Sequence, residues 1–146
     1  MSATKNTGTF SDFEVAAMKA RAKELKAEAR ASKNRAEGEK LILDAIAQMS
    51  DADKAIAQKV HELVSKTAPE LFPKTWYGMP AYADKEGNVV CFFQAASKFK
   101  SRYSTLGFSD PAKLDTGNMW PTAFALVGIS KSEEDQIVEL VKKAIK

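Results

Sequence analysis

The sequence predicts an α+β fold: a single domain in which a small antiparallel sheet packs against helices, with a charged helix at the N-terminus. Three observations carry this. Eleven of the thirteen aromatic residues fall between Phe72 and Phe124, and none lies between Glu14 and Leu71. All five prolines (Pro69, Pro73, Pro80, Pro111 and Pro121) lie from residue 69 onward, where strand edges and turns accept them and helix interiors would not. Good helix formers dominate the chain before that region, and a polar-faced helical pattern follows it. Helices first, strands next and a last helix give α+β rather than a repeating parallel wind.

The elements follow in order. Ser11 with Glu14 three residues on forms a capping box, and Phe10 with Val15 supplies a hydrophobic staple, so a helix starts here and runs to about Ala31. Ser32-Lys33-Asn34 and Gly38 weaken the pattern, and a second helix is expected around Leu41 to Met49. Ser50 and Asp53 cap a further helix whose Ile56, Val60, Leu63, Val64 and Thr67 share one face and which stops before Pro69. From Thr75 to Ala83 strand formers are interrupted by Gly78 and Pro80, which predicts an edge strand or a bulge. Asp84 to Asn88 reads as a hairpin turn. Val89 to Ala95, apolar on both alternating faces, is the central strand. Two more strands are expected at Arg102 to Phe108 and Thr122 to Val127, joined through a short helix around Pro111 to Leu114. The last helix begins near Ser132 with acidic residues in its first turn and lysines at its end, and buries Ile137, Leu140, Val141 and Ala144.

At 146 residues the chain is one ordinary domain, divided here into a charged helical extension, residues 1–40, packed on an α+β core, residues 41–146. It is 45% hydrophobic and 28% charged, as folded soluble proteins are, and a net charge of +3 is too small to declare a nucleic acid or a membrane as partner. Cys91 is alone, so no internal disulfide forms, and its neighbours Val90 and Phe92 predict burial; a cytoplasmic setting fits. No apolar run reaches membrane-spanning length, and Met1 to Lys5 carries no export signal.

Catalytic signatures are missing. There is no G-x-S-x-G, G-x-G-x-x-G or P-loop, and one histidine with one cysteine does not build a zinc site, so catalytic and metal residues are expected to be none and an enzyme is the weaker reading. His61, at the margin of its helix stripe, reads as a partly exposed structural histidine. Glu133-Glu134-Asp135 and Asp84/Glu86 are the local acidic groups a hard cation such as iron could use, but a helix N-terminus and a hairpin turn already account for them.

Two surfaces stand out. At about 100° per residue the first helix gathers Lys19, Lys23, Lys26, Arg30 and Lys33 on one face, with Glu14, Glu24 and Glu28 roughly opposite and a thin stripe of Val15, Met18, Ala22, Leu25 and Ala29 between. Like charges at i,i+4 do not stabilise an isolated helix, so this is either a solvated outer face or a surface for nucleic acid or an acidic protein. The second is Trp76-Tyr77-Gly78-Met79-Pro80-Ala81-Tyr82, answered across the hairpin by Phe92 and Gln94 and then by Lys98 and Arg102. Such a cluster is either a packed corner or a pocket wall. As a pocket, Trp76 and Tyr82 would face a groove beside Gly78, with the aromatics stacking and Lys98 and Arg102 fixing an anionic group.

The run Trp76-Tyr77-Gly78-Met79-Pro80-Ala81-Tyr82, followed by Val90-Cys91-Phe92-Phe93, by Lys98-Phe99-Lys100 and by Tyr103, resembles the YdhG-like domain family of bacterial proteins, over roughly Leu41 to Ile145. The resemblance implies a small α+β fold with an antiparallel sheet against helices. One branch is described as a frataxin-like intracellular iron chaperone, so the resemblance also implies iron as a possible cargo, without assigning ligands. The expected function is therefore a cytosolic, non-enzymatic domain without a resident cofactor. It binds a small or anionic ligand at Trp76, Tyr77, Met79, Tyr82, Phe92, Gln94, Lys98, Arg102 and Trp120. The alternatives are iron delivery by acidic side chains, and a nucleic-acid or protein adaptor using the basic helix face.

Overall fold

The computed structural model describes residues 11–146, with the side chains of 21 and 23–33 left aside. Three helices and five strands follow one another as α1 (Asp12–Ala47), α2 (Asp51–Thr67), β1 (Phe72–Trp76), β2 (Met79–Ala83), β3 (Val89–Gln94), β4 (Ser104–Phe108), β5 (Ala123–Leu126) and α3 (Lys131–Ala144). The strands form one antiparallel meander in the order β1-β2-β3-β4-β5. The α+β class read from the sequence is the class observed. Two compact units divide inside α1, at Asn34/Arg35. The second unit begins at Arg35 rather than at Leu41 because Arg35 and Glu39 already bond to residues of α2 and the turn after it.

In the first unit the Glu14 N–H donates to Ser11 Oγ at 3.1 Å and the Ser11 N–H to Glu14 Oε1 at 3.2 Å, which makes the expected capping box. Phe10, the other half of the expected staple, lies outside the described residues. So do the side chains of Lys23, Lys26, Arg30, Lys33, Glu24, Glu28, Leu25 and Ala29, while Val15, Met18 and Lys19 are exposed. The break expected before Leu41 is absent: α1 runs unbroken for 36 residues. Gly38 costs a helix about 1 kcal/mol relative to alanine, and its neighbours are strong helix formers. Its use lies elsewhere, since a Cβ at Gly38 would run into the carbonyl oxygen of Pro73. Glycine is what lets helix and strand cross this closely.

The core lies between the helices and one face of the sheet. Ile42 and Ile46 of α1, Ile56, Val60 and Val64 of α2 and Ile137 and Val141 of α3 pack with Tyr82, Cys91, Phe93, Leu106 and Leu126. Ser50 caps α2, its Oγ accepting from the Asp53 N–H, and a Ser130–Glu133 capping box opens α3. Among the described residues no helix is long and apolar enough to cross a membrane.

Two strand-region expectations change. Thr75 to Ala83 is not one edge strand but two strands joined by the tight turn Tyr77-Gly78, and β2 is buried along its whole length between β1 and β3. Both turn residues have positive φ, 52° and 77°, the signature of a type I′ hairpin, whose twist matches that of the strands it joins. Gly78 lies in this turn and Pro80 pairs regularly with Thr75, so no bulge falls where the two residues suggested one; a register slip occurs instead at Tyr82/Ala83. The short helix expected at Pro111 to Leu114 is a single turn, in which the Ala112 N–H donates to Ser109 O. Ala112 and Leu114 are drawn into the core and the Lys113 N–H reaches Ala144 O at the end of α3, which leaves no backbone for a second turn.

Candidate functional site

Because side chains alternate across a strand, the register assigns each candidate residue to a face. Tyr82 pairs with Cys91 and Cys91 with Phe108, and all three point to the helices. Trp76 pairs with Met79, while Lys74, Ala81, Phe92, Gly107 and Ala123 follow one another across the opposite, outer face. The two-residue turn shifts the parity, so Trp76 and Tyr82 do not share a face as the linear spacing suggested.

The structure therefore divides the nine candidates. Trp76, Tyr77, Phe92 and Lys98 come together on the outer side, at the end of the sheet that carries the Tyr77-Gly78 turn. The rings of Trp76 and Phe92 meet edge to face at 5.2 Å, and Tyr77 tilts against Trp76 at 5.3 Å. Lys98 Nζ donates to the Tyr77 carbonyl oxygen at 3.4 Å. A Cβ on Gly78 would strike that same ammonium, so the space expected beside the glycine is taken by Lys98. The result is an exposed aromatic and cationic surface instead of the expected concave groove. Met79 is buried and Gln94 half-buried at its inner border. Phe92 lies flat across Gly107, where any larger residue would displace its ring. Arg102 stands over the Tyr103 ring at 5.2 Å, where the chain enters β4. Trp120 is half-buried and packs on the helix-side core, with which Tyr82 is continuous, so neither joins the outer cluster.

One feature of the outer cluster is costly. Tyr77 holds a left-handed backbone at φ 52° while its side chain is 80% exposed. A bulky side chain in that region is rare, and the position favours asparagine, aspartate or glycine. The exposed ring recovers little of that cost by burial.

On the inner side a polar chain crosses the core that sequence reading missed. His61 Nδ1 and the Tyr82 hydroxyl lie 2.8 Å apart, and His61 Nε2 and Glu39 Oε2 2.7 Å apart. Burial pushes the Tyr82 phenol well above its ordinary value, helped by the negative charge that Cys91 and Glu39 carry when ionised. The phenol thus keeps its proton, and hydroxyl, imidazole and carboxylate form one hydrogen-bonded chain. His61 is buried rather than partly exposed. The signal was present in the sequence: Ala57, His61 and Val64 stand at i, i+4 and i+7 beside Val60, inside the buried stripe. With the Tyr82 hydroxyl buried and the Glu39 side chain 44% exposed, this chain ties α1, α2 and β2 together from the core to the surface. Burial likewise raises the neighbouring Cys91 thiol to about 12, so it is no nucleophile.

At the start of α2, Asp53 is buried and accepts from the Ser97 N–H at 2.9 Å, with Ser50 and Ser104 hydroxyls beside it. Burial alone would raise its carboxyl, but these hydrogen bonds outweigh that and hold it below the ordinary value. Among the described residues there is no group of three or more His, Cys, Asp or Glu that could hold a metal ion. A shallow groove of about 910 Å³ runs elsewhere, between α3 and Phe124 of β5. Compared with models of protein families, with curated proteins and with solved structures, the chain matches none of them.

Proposed function

We propose that the chain is a cytosolic, non-enzymatic binding protein that takes a small ligand with a planar ring and a negative charge on the outer face of its sheet. The ring stacks on Trp76 and Tyr77, with Phe92 bracing Trp76 from the side, and Lys98 and Arg102 attract the charge. The observation that carries this reading is Tyr77. An exposed tyrosine occupies the left-handed turn position that asparagine fills at lower cost, and backbone strain of this kind clusters at sites that use it.

The test exploits that conflict between stability and binding. In a Trp120→Phe background, Trp76 is the remaining tryptophan and its fluorescence reports on the cluster. Titration with mononucleotides and with phosphorylated aromatic compounds should give saturable quenching. Tyr77→Asn should weaken that binding by roughly tenfold, the value of one lost stacking contact, while raising the melting temperature because Asn-Gly suits the turn. If no compound of this class gives saturable quenching, or if Tyr77→Asn binds as well as the parent, the reading fails.

A further inference from the structure

The two edges of the sheet are treated differently by the chain. Edge strands present unpaired N–H and C=O groups that template association, and proteins normally blunt them with prolines, charges or cover. At β1 all three are in place. Pro73 and Lys74 lie in the strand, Gly38 brings α1 against the Pro73 carbonyl, and Arg35 donates to Pro69 O and Leu71 O, both at 2.9 Å, with its guanidinium 4.2 Å over the Phe72 ring.

At β5 none is. From Asn118 to Ser130 the chain carries no charged residue. The Phe108 N–H donates to Thr122 O, so by the alternation of an antiparallel ladder Thr122, Phe124 and Leu126 turn their backbone polar groups to β4, and Ala123 and Ala125 turn theirs outward. Among the described residues no further strand or loop takes these groups up. Met119, 89% exposed, and Val127, 82% exposed, flank the strand, and the groove along α3 opens beside it.

We propose that the β5 edge is a homodimer interface, in which β5 strands of two copies pair antiparallel about a two-fold axis at Ala125 and join the two sheets into one. Three features select a second copy as the occupant. An uncharged strand meets itself across a two-fold axis without repulsion. The flank of α3 that borders the groove carries Asp135, already paired with Lys131 at 2.8 Å, and the acidic Glu139, and it is basic at Lys142, Lys143 and, just past the helix, Lys146. A two-fold axis runs the partner's α3 antiparallel, which sets the acidic half of each helix against the basic half of the other. Finally, β1 is covered, so head-to-tail β5-to-β1 addition is blocked and association closes at the dimer instead of growing into a fibre.

Sedimentation equilibrium of the full chain should give a reversible dimer at twice the chain mass of 16.0 kDa. Ala125→Pro removes an outward N–H that the monomer does not use, and Ala125→Lys places two ammonium groups opposite each other on an exposed position. Each should weaken dimerisation by roughly tenfold or more while circular dichroism stays that of the parent. Glu139→Lys and Lys142→Glu should each weaken the dimer several-fold, and the two together should restore it. A chain that remains monomeric at every concentration overturns the proposal, including the case in which this edge takes a peptide from another protein. A dimer insensitive to both Ala125 variants, or charge variants whose effects simply add, overturns it equally.

Discussion

The inner and outer faces of the sheet are made by the same strands, yet they are built to different ends. On the inner face Tyr82, Cys91, Phe93 and Leu106 are almost fully buried under three helices, and the polar atoms among them are paired. On the outer face Trp76 and Phe92 are only half-buried and Tyr77 and Lys98 are exposed. Aromatic content does not distinguish the faces; what covers each ring does. A ring sealed by helices contributes stability, whereas a ring left at the surface beside a cation and a strained turn contributes little of it.

The sharpest way to break this comparison uses two adjacent residues of one strand. Phe93 is fully buried among helix side chains and Phe92 lies on the outer face over Gly107. Phe93→Ala removes a large ring from a closed core, and should lower unfolding free energy by about 3–5 kcal/mol. Phe92→Ala opens no enclosed cavity and should cost about 1–2 kcal/mol, on the scale of partial apolar burial. Urea titrations of both variants measure the difference, and equal costs would mean that the outer face is as sealed as the inner one.

A smaller effect sharpens the same contrast at the hydroxyl level. Tyr82→Phe leaves the ring but takes the hydrogen-bond partner from His61 Nδ1 inside the core, which should cost about 1–3 kcal/mol as an unsatisfied buried group. Tyr77→Phe removes a hydroxyl already in water and should change stability by no more than about 0.5 kcal/mol. Thermal unfolding of the pair checks both values.

The sequence made the inner face more legible than the outer one. Helical stripes and strand alternation report burial directly, so Ile56, Val60, Leu63, Val64, Cys91, Ile137 and Val141 were read as buried, and they are. The Ser11–Glu14 capping box and the Ser50 cap were legible because they are local chemistry, whereas the Ser130–Glu133 box was passed over and the last helix was expected to start near Ser132. What stayed hidden depends on contacts between distant segments. Gly38 looked like a helix breaker because its reason, the Pro73 carbonyl, stands on another element. Trp76 and Tyr82 looked like one wall because a two-residue turn with two positive φ values was hidden in a run of strand formers, and tyrosine is an unusual residue to open it. Glu39, His61 and Tyr82 come from three elements and carry no spacing that unites them.

A further effect lies where α2 meets the loop after β3, and it is a pH effect. Asp53 is buried, and hydrogen bonds from Ser97, Ser50 and Ser104 hold its carboxyl below the ordinary value despite burial. A carboxyl lowered in the folded state contributes stability above its unfolded value, near 4 for aspartate, and loses that contribution as the pH falls through the lower folded value. Asp53→Asn keeps an acceptor for the Ser97 N–H but not the charge, so at neutral pH it should be less stable by about 1 kcal/mol. Below about pH 4 the parent's advantage should shrink, because its own Asp53 becomes protonated there. Taking the difference between the two proteins cancels the other acidic groups, including Glu133, which its Ser130 hydrogen bonds also hold low. A difference that stays constant from neutral pH into acid would mean that the Asp53 charge contributes nothing to anchoring α2 on the sheet.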